Sequence, residues 1–224
     1  SQKDIAYAEE LGYKIKLLGI AKSQNTDVEI RVHPTLVPKN RLVANVDGAM
    51  NAVLVHGNMV GPTLYYGAGA GAEPTASAVV ADVVDVVRTL TSDPDNRVPH
   101  LAFQPDALSD LPILPVEEIT TAYYLRMSAV DRPGVLAKVA QILSDRGISI
   151  EALLQKDNKE DERTVPIVLL THQVKEKDMN DAISAIEALG DMSTFITFTA
   201  NLIQRFNNIW RNFSTDRNLI NFIC

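Results

Sequence analysis

The sequence predicts an α+β fold in two parts, and three observations carry that expectation. Residues 122–199 read strand, helix, strand, strand, helix, strand. Residues 13–66 hold alternating apolar stretches that lead into a glycine-rich turn. Five prolines fall between residues 91 and 121. The chain has 224 residues, 46% hydrophobic and 22% charged, which suffices for two small cored domains. The composition shifts place boundaries at 1–91, a Pro-rich linker at 92–121, a second domain at 122–199 and an atypical tail at 200–224.

In the first part, residues 13–22 and 27–33 read as strands, with Val28, Ile30 and Val32 facing one way. Pro34 and Pro38 should then break the pattern. Residues 51–57 and 59–66 read as two more strands, and GAGAGAEP turns the chain at 67–74. A helix should follow over 75–90, with Thr75 able to cap it. Its valines (79, 80, 83, 84, 86 and 87) give a broad apolar surface, so it should be well buried. The turn matches a G-x-G-x-x-A dinucleotide fingerprint, but no second strand ending in an acid follows. Asp82 and Asp85 lie within the helix instead, which argues against a complete nucleotide-binding unit at this position.

In the second part, strands at 122–130, 148–155, 164–172 and 191–200 alternate with helices at 135–147 and 176–190. This is the split βαβ order of ferredoxin-like folds. Pro166 inside a strand suits an edge or a bulge. KDNKEDER at 156–163 reads as a solvated hairpin loop. The DRPG turn at 131–134 is the most informative local motif. Asp131 can cap the following helix, Pro133 suits its first turn, and Gly134 lets a ligand or another backbone come close. Open amides at a helix start favour a carboxylate, so an amino acid could dock there with its ammonium near Asp131. Plain capping is the alternative.

Several classes are disfavoured. The net charge of -7 argues against a nucleic-acid partner. No apolar run of about 18 residues suggests a membrane span, and the first residues do not read as a signal peptide. The single cysteine, Cys224, leaves no internal disulfide, which fits a cytoplasmic setting. His33, His56, His100 and His172 are scattered without metal-ligand spacing, and no G-x-S-x-G occurs, so no metal is expected.

The stretch YYLRMSAVDRPGVLAKVAQILSDRGISIEALLQ, continued through TVPIVLLTH, resembles ACT domains. ELGYKIKLLGIAK, NVDGAMNAVLVHG and YGAGAGAEPTASAVVADVVDVVR resemble the later part of the homoserine dehydrogenase catalytic domain. The order of these stretches, with the ACT-type domain after them, fits that family over about residues 4–195.

The resemblance implies an oxidoreductase that interconverts aspartate 4-semialdehyde and L-homoserine with NADP or NAD. It also implies feedback by an amino-acid effector, threonine first, and a homo-oligomer paired through its sheets. Carried over, the effector region includes Asp131, Gly134, Val135 and Leu136, with Ser149, Ile150 and Gln155 as weaker contributors. Val135, Leu136 and Ile150 read equally well as core. Gly71, and less firmly Gly69, would lie beside the nicotinamide; the alternative is close strand–helix packing. The family's nucleotide-binding unit and catalytic lysine would precede Ser1, and neither Lys14 nor Lys16 matches that lysine, so no catalytic residue is assigned and the chain alone is expected to be inactive. A stand-alone amino-acid-binding regulatory module is the competing reading, and a fragment that dimerises through its sheets and binds nothing is a third. For residues 201–224 an added helix on the ACT sheet and a disordered tail stay open.

Overall fold

The computed structural model describes residues 1–24, 27–93, 106, 108, 110–155, 164–190, 192–200 and 219–223. Helix α1 (Gln2–Glu10) leads into the long hairpin β1 (Tyr13–Gln24) and β2 (Asp27–Pro38), paired along its whole length from Tyr13–Pro38 to Gln24–Asp27. A second hairpin, β3 (Met50–Gly57) and β4 (Gly61–Ala68), ends at the glycine-rich turn, and α2 (Ala72–Thr91) follows.

The rest runs β5 (Thr120–Val130), α3 (Val135–Asp145), β6 (Ile150–Gln155), β7 (Thr164–Thr171), the short β8 (Val174–Lys175), α4 (Glu176–Glu187) and β9 (Met192–Ala200). Its four main strands lie side by side as β9-β5-β7-β6, the ferredoxin-like arrangement that the sequence pattern predicts. Helices form where apolar residues recur at helical spacing: Val135, Val139 and Leu143 on α3, and Met179, Ala182 and Ile186 on α4. Both stripes bury against Tyr123, Leu125 and Met127 of β5 and Ile167 and Leu169 of β7.

The two parts share one sheet. β2 joins β9 in parallel through Thr35–Thr199 and Leu36–Ala200. Helix α1 covers the face of the second sheet that α3 and α4 leave free: Ala8, Tyr13 and Leu36 pack with Tyr124, Val168 and Leu170. At the centre of this contact Asp4 is fully buried. Its carboxylate accepts from Arg126 Nε at 2.6 Å and Nη2 at 3.2 Å, and from the Tyr124 hydroxyl at 3.1 Å. Burial alone would raise the Asp4 pKa; hydrogen bonds from Arg126 and Ser1 outweigh it and hold the carboxyl well below the usual aspartate range.

Several expectations change. β2 runs straight through Pro34 to Pro38. Among the described residues its edge away from β1 pairs with β9 at Thr35 and Leu36 and bridges Ile113 at Val28, so no ladder pair on that side falls at Pro34. β7 is an internal strand, not an edge; among the described residues the β6 pairs reach Ile167, and Pro166 pairs with Ser128 of β5. The apolar face of β2 is the open one: Val32 is 70% exposed, whereas Glu29 and Arg31 are buried. Helix α2 buries no residue among those described, and Val80 is 60% exposed. It leaves the sheet from β4, the outermost strand, and no described element packs across it. Residues 112–114 contribute backbone to the first part, with the Val28 amide donating to Pro112 O and the Leu114 amide to Val28 O, both at 2.9 Å. Residues 219–223 form β10, a strand between β1 and β3; the rest of the tail, 201–218, where an added helix would start, lies outside the described residues, as does the loop 156–163.

Asp4→Asn should lower stability by about 3–5 kcal/mol in urea unfolding, because Arg126 keeps its buried charge and loses its partner. Asp4 has a lowered folded pKa, so its contribution is complete above the ordinary value near 3.8 and fades as the pH falls below it. Wild type and Asp4→Asn should therefore converge in acid. On α2, Val80→Lys should shift stability by no more than about 0.5 kcal/mol, whereas Val139→Lys should unfold the chain.

Candidate functional site

Gly134 is the N-cap of α3, with φ at 91° and no side-chain cap bond. A side chain is strained in that left-handed conformation, although a Cβ there would meet nothing within 4 Å. The helix start is thus open, as a carboxylate-binding turn requires. Asp131 lies exposed beside it and does not cap the helix, which corrects the capping role expected from sequence. Val135 is a buried core residue and Leu136 packs partly against the same core, so both are structural as well as adjacent to the turn.

The sheet register separates the seven candidate effector residues into two groups. The turn follows Val130, at one end of β5, and Gln155 lies near the same end, level with Ile167 and Met127. Ser149 and Ile150 lie at the other end, level with Thr171 and Tyr123. Seven residues of strand separate the two ends, roughly 23 Å. One copy of the chain therefore does not gather all seven residues at one place. Ile150 and Gln155 lie on β6, an edge strand of the sheet among the described residues, and the turn follows β5, two strands away.

The glycine-rich turn is anchored by its backbone: the Gly69 amide donates to Ala49 O at 3.0 Å. A Cβ on Gly69 would run into the Asn51 side chain, so packing alone explains that glycine. Gly71 is the N-cap of α2, with φ at 127°. Thr75, expected as a cap, lies inside the helix and donates its amide to Gly71 O at 3.2 Å. The whole turn from Gly69 to Glu73 is exposed. Lys14 and Lys16 are engaged by Asp47, at 3.3 and 2.5 Å, in a small cleft of about 280 Å³ that also holds Ile5 and Glu9.

Sequence reasoning missed a second polar cluster. Arg31 of β2, which pairs with the buried Glu29, Tyr123 of β5, and Glu176 and Asn180 of α4 line a cavity of about 470 Å³. Burial, and then the neighbouring Arg31, push the His33 pKa down to about 4, so its ring is neutral at pH 7. The only sequence signal was the strict alternation of DVEIRVH, which leaves open which face turns inward.

No helix among the described residues is long and apolar enough to cross a membrane, and none of their His, Cys, Asp and Glu side chains cluster for a metal ion. Together the fold and the open DRPG turn define a class: a strand-rich unit fused through a shared sheet to an ACT domain. The ACT domain family model matches residues 123–191, and the homoserine dehydrogenase family model matches residues 1–84. The Pseudomonas aeruginosa homoserine dehydrogenase is 64% identical over 190 residues, covering 85% of this chain and 44% of that protein. That of Neisseria gonorrhoeae is 56% identical over 195 residues, 87% of this chain and 45% of its own length. The crystal structure of a homoserine dehydrogenase from Thiobacillus denitrificans superposes with a TM-score of 0.81 at 60% identity, over 90% of this chain and 45% of that one. The Staphylococcus aureus enzyme at pH 6.0 gives a TM-score of 0.54 at 25% identity, over 89% of this chain and 45% of that one. The chain belongs to the homoserine dehydrogenase family, and it spans less than half the length of these relatives.

Gly134→Ala should destabilise the chain by about 1–2 kcal/mol in chemical denaturation, from backbone strain alone. Gly69→Ala paired with Asn51→Ala should be more stable than Gly69→Ala by itself if close packing is the reason for that glycine.

Proposed function

We propose that this chain forms the effector-sensing part of a homoserine dehydrogenase that interconverts aspartate 4-semialdehyde and L-homoserine. The single observation that carries this reading is the continuous match to such enzymes across both parts of the chain, glycine-rich turn and ACT domain included. The proposed partition is 1–91 for the end of the catalytic domain, 92–121 for the linker, 122–199 for the ACT domain and 200–224 for the tail.

The nicotinamide cofactor, NADP or NAD, supplies the hydride in such enzymes. Gly71 is the position assigned to line it: the turn is exposed, and its lack of a Cβ leaves backbone open to a ligand. Gly69 is the weaker assignment, since Asn51 already accounts for it. The uncovered valines of α2 fit a helix whose packing partner belongs to another stretch of the same enzyme.

The effector is assigned as an amino acid, threonine first, with its carboxylate at the α3 start and its ammonium at Asp131. The split between the two groups of candidate residues argues for a second copy. Antiparallel pairing of β6 with β6 of another copy would set Ser149 and Ile150 of one protomer beside the Gln155 end of its partner. The site would then be complete only in the dimer. Threonine would act by biasing that pairing, which is allostery in the sense of a coupling free energy between two sites.

A chimera tests this reading. The Pseudomonas aeruginosa enzyme carrying this chain in place of its matching segment should oxidise NADPH with aspartate semialdehyde and should be inhibited by threonine. Asp131→Ala should weaken the inhibition by tenfold or more without changing uninhibited turnover. In thermal melts of the chain itself, threonine at a hundred times its dissociation constant should add about 2.7 kcal/mol. Turnover that is indifferent to every amino acid would sink the sensing assignment; absence of turnover in a folded chimera would sink the catalytic one.

A further inference from the structure

The cavity between β2 and α4 is built differently from the rest of the interior. Along β2 Glu29, Arg31 and Thr35 are buried, while Ile30 and Val32 are more than half exposed and contribute to the cavity's open edge. The Arg31 side chain is 7% exposed. Its Nε forms an ion pair with Glu29 Oε1 at 2.9 Å, without hydrogen-bond geometry, and neither Nε nor Nη1 has a hydrogen-bond partner among the described residues. A buried donor left in that state costs about 1–3 kcal/mol, more when charged.

The opposite wall is α4. Glu176 accepts a hydrogen bond from the Tyr123 hydroxyl, which orients its carboxylate beside the cavity, and Asn180 follows one turn later. Burial, and then that hydrogen bond, raise the Tyr123 pKa, so the phenol stays a donor. Val116, Ile119 and Ile183 complete an apolar lining. Charges on the walls nearly cancel: Lys22 sits 3.8 Å from Glu29, and Arg31 faces Glu176 across the cavity. A net-neutral pocket with a positive group on one wall and a negative group on the other suits neither a simple anion nor a simple cation. It suits a molecule that carries both charges.

We propose that this cavity is a binding site for a small zwitterion with a short aliphatic skeleton, separate from the DRPG turn. The carboxylate takes the free Arg31 donor, the ammonium takes Glu176 and the Asn180 side-chain oxygen, and the carbon chain lies on Ile119 and Ile183. Charge-assisted hydrogen bonds of this kind are the strong ones, and the volume is within the range of small-molecule pockets. Tyr123 lies at the end of β5 opposite the DRPG turn, so the two sites are about 23 Å apart along the strand. An occupant would tie β2, in the first part of the chain, to α4 in the second.

The test uses the full chain and three probes of matched skeleton: L-valine, 3-methylbutanoate, which lacks the ammonium, and 2-methylpropan-1-amine, which lacks the carboxylate. Isotope-labelled protein is followed by NMR at the Arg31 Nε–H and the Asn180 side-chain amide. L-valine should give saturable shifts at both, and each one-ended probe should bind at least tenfold more weakly. Glu176→Gln keeps an acceptor for Tyr123 and should weaken L-valine tenfold or more while leaving 3-methylbutanoate unchanged. Three results would overturn the proposal: no saturable shift at these groups, equal binding of a one-ended probe, or shifts confined to residues 131–136. The last result would leave the effector reading of the DRPG turn standing. The probe series in wild-type protein decides the matter even if the variant does not fold.

Discussion

The buried carboxylate of Asp4 holds the two parts of this chain in one arrangement. It lies in the first turn of a short helix near the start of the sequence, yet its partners, Arg126 and Tyr124, are on β5 of the other part. That helix brings Ala8 over the outer face of the β9-β5-β7-β6 sheet, where it packs in one cluster with Tyr13 of β1, Tyr124 and Leu170. A buried ion pair is weak as a source of net stability and strong as a constraint, because a misplaced helix leaves a charge stranded in the interior. The parallel rung between β2 and β9 is only two residue pairs long, too short to fix the angle between the parts by itself.

The second part was readable from sequence because its elements obey single periods. Val135, Val139 and Leu143 mark one helix face and Met179, Ala182 and Ile186 the other, and both bury where the spacing says. The first part was less readable, and each miss has a physical reason. The first helix is short and charged, and its key inward residue is an aspartate, so no apolar stripe announces it. β2 alternates cleanly, but alternation does not say which face is inside, and here the polar face is. Helix α2 is apolar enough to be buried, but burial needs a partner element, and none of the described ones reaches it. The strand at 219–223 pairs with β1 and β3, some 160 residues or more away in sequence, a pairing that no local pattern encodes.

The candidate effector residues show the same limit at a finer scale. Each was placed beside a suitable element: Gly134 at an open helix start, Ser149 and Ile150 at the head of an edge strand, Gln155 at its end. Strand order then sets the ends of that sheet apart, and sequence proximity to one motif gave no warning. A two-fold relation between two edge strands reverses one against the other, which is the simplest operation that reunites the groups. In the proposed dimer the β6 edge would be part of the site, since no described strand lies beyond it in the sheet.

The polar interior of β2 is the place where local pattern and fold disagree most. A strand with three aliphatic residues on one face, flanked by β1 and β9, would bury those residues if stability alone set its orientation. It buries Glu29 and Arg31 instead, next to Tyr123 and Glu176, and leaves Ile30 and Val32 at the surface. Disagreements of this kind concentrate at sites that do something. Glu29 pairs with Arg31, Tyr123 donates to Glu176, and Arg31 and Glu176 both line one cavity. If packing were their only purpose, two aliphatic residues of similar volume would serve better, since buried ion pairs seldom repay their desolvation. The exposed aliphatic face then follows from the same choice: turning β2 to present its charged face to α4 leaves its apolar face for another surface to cover.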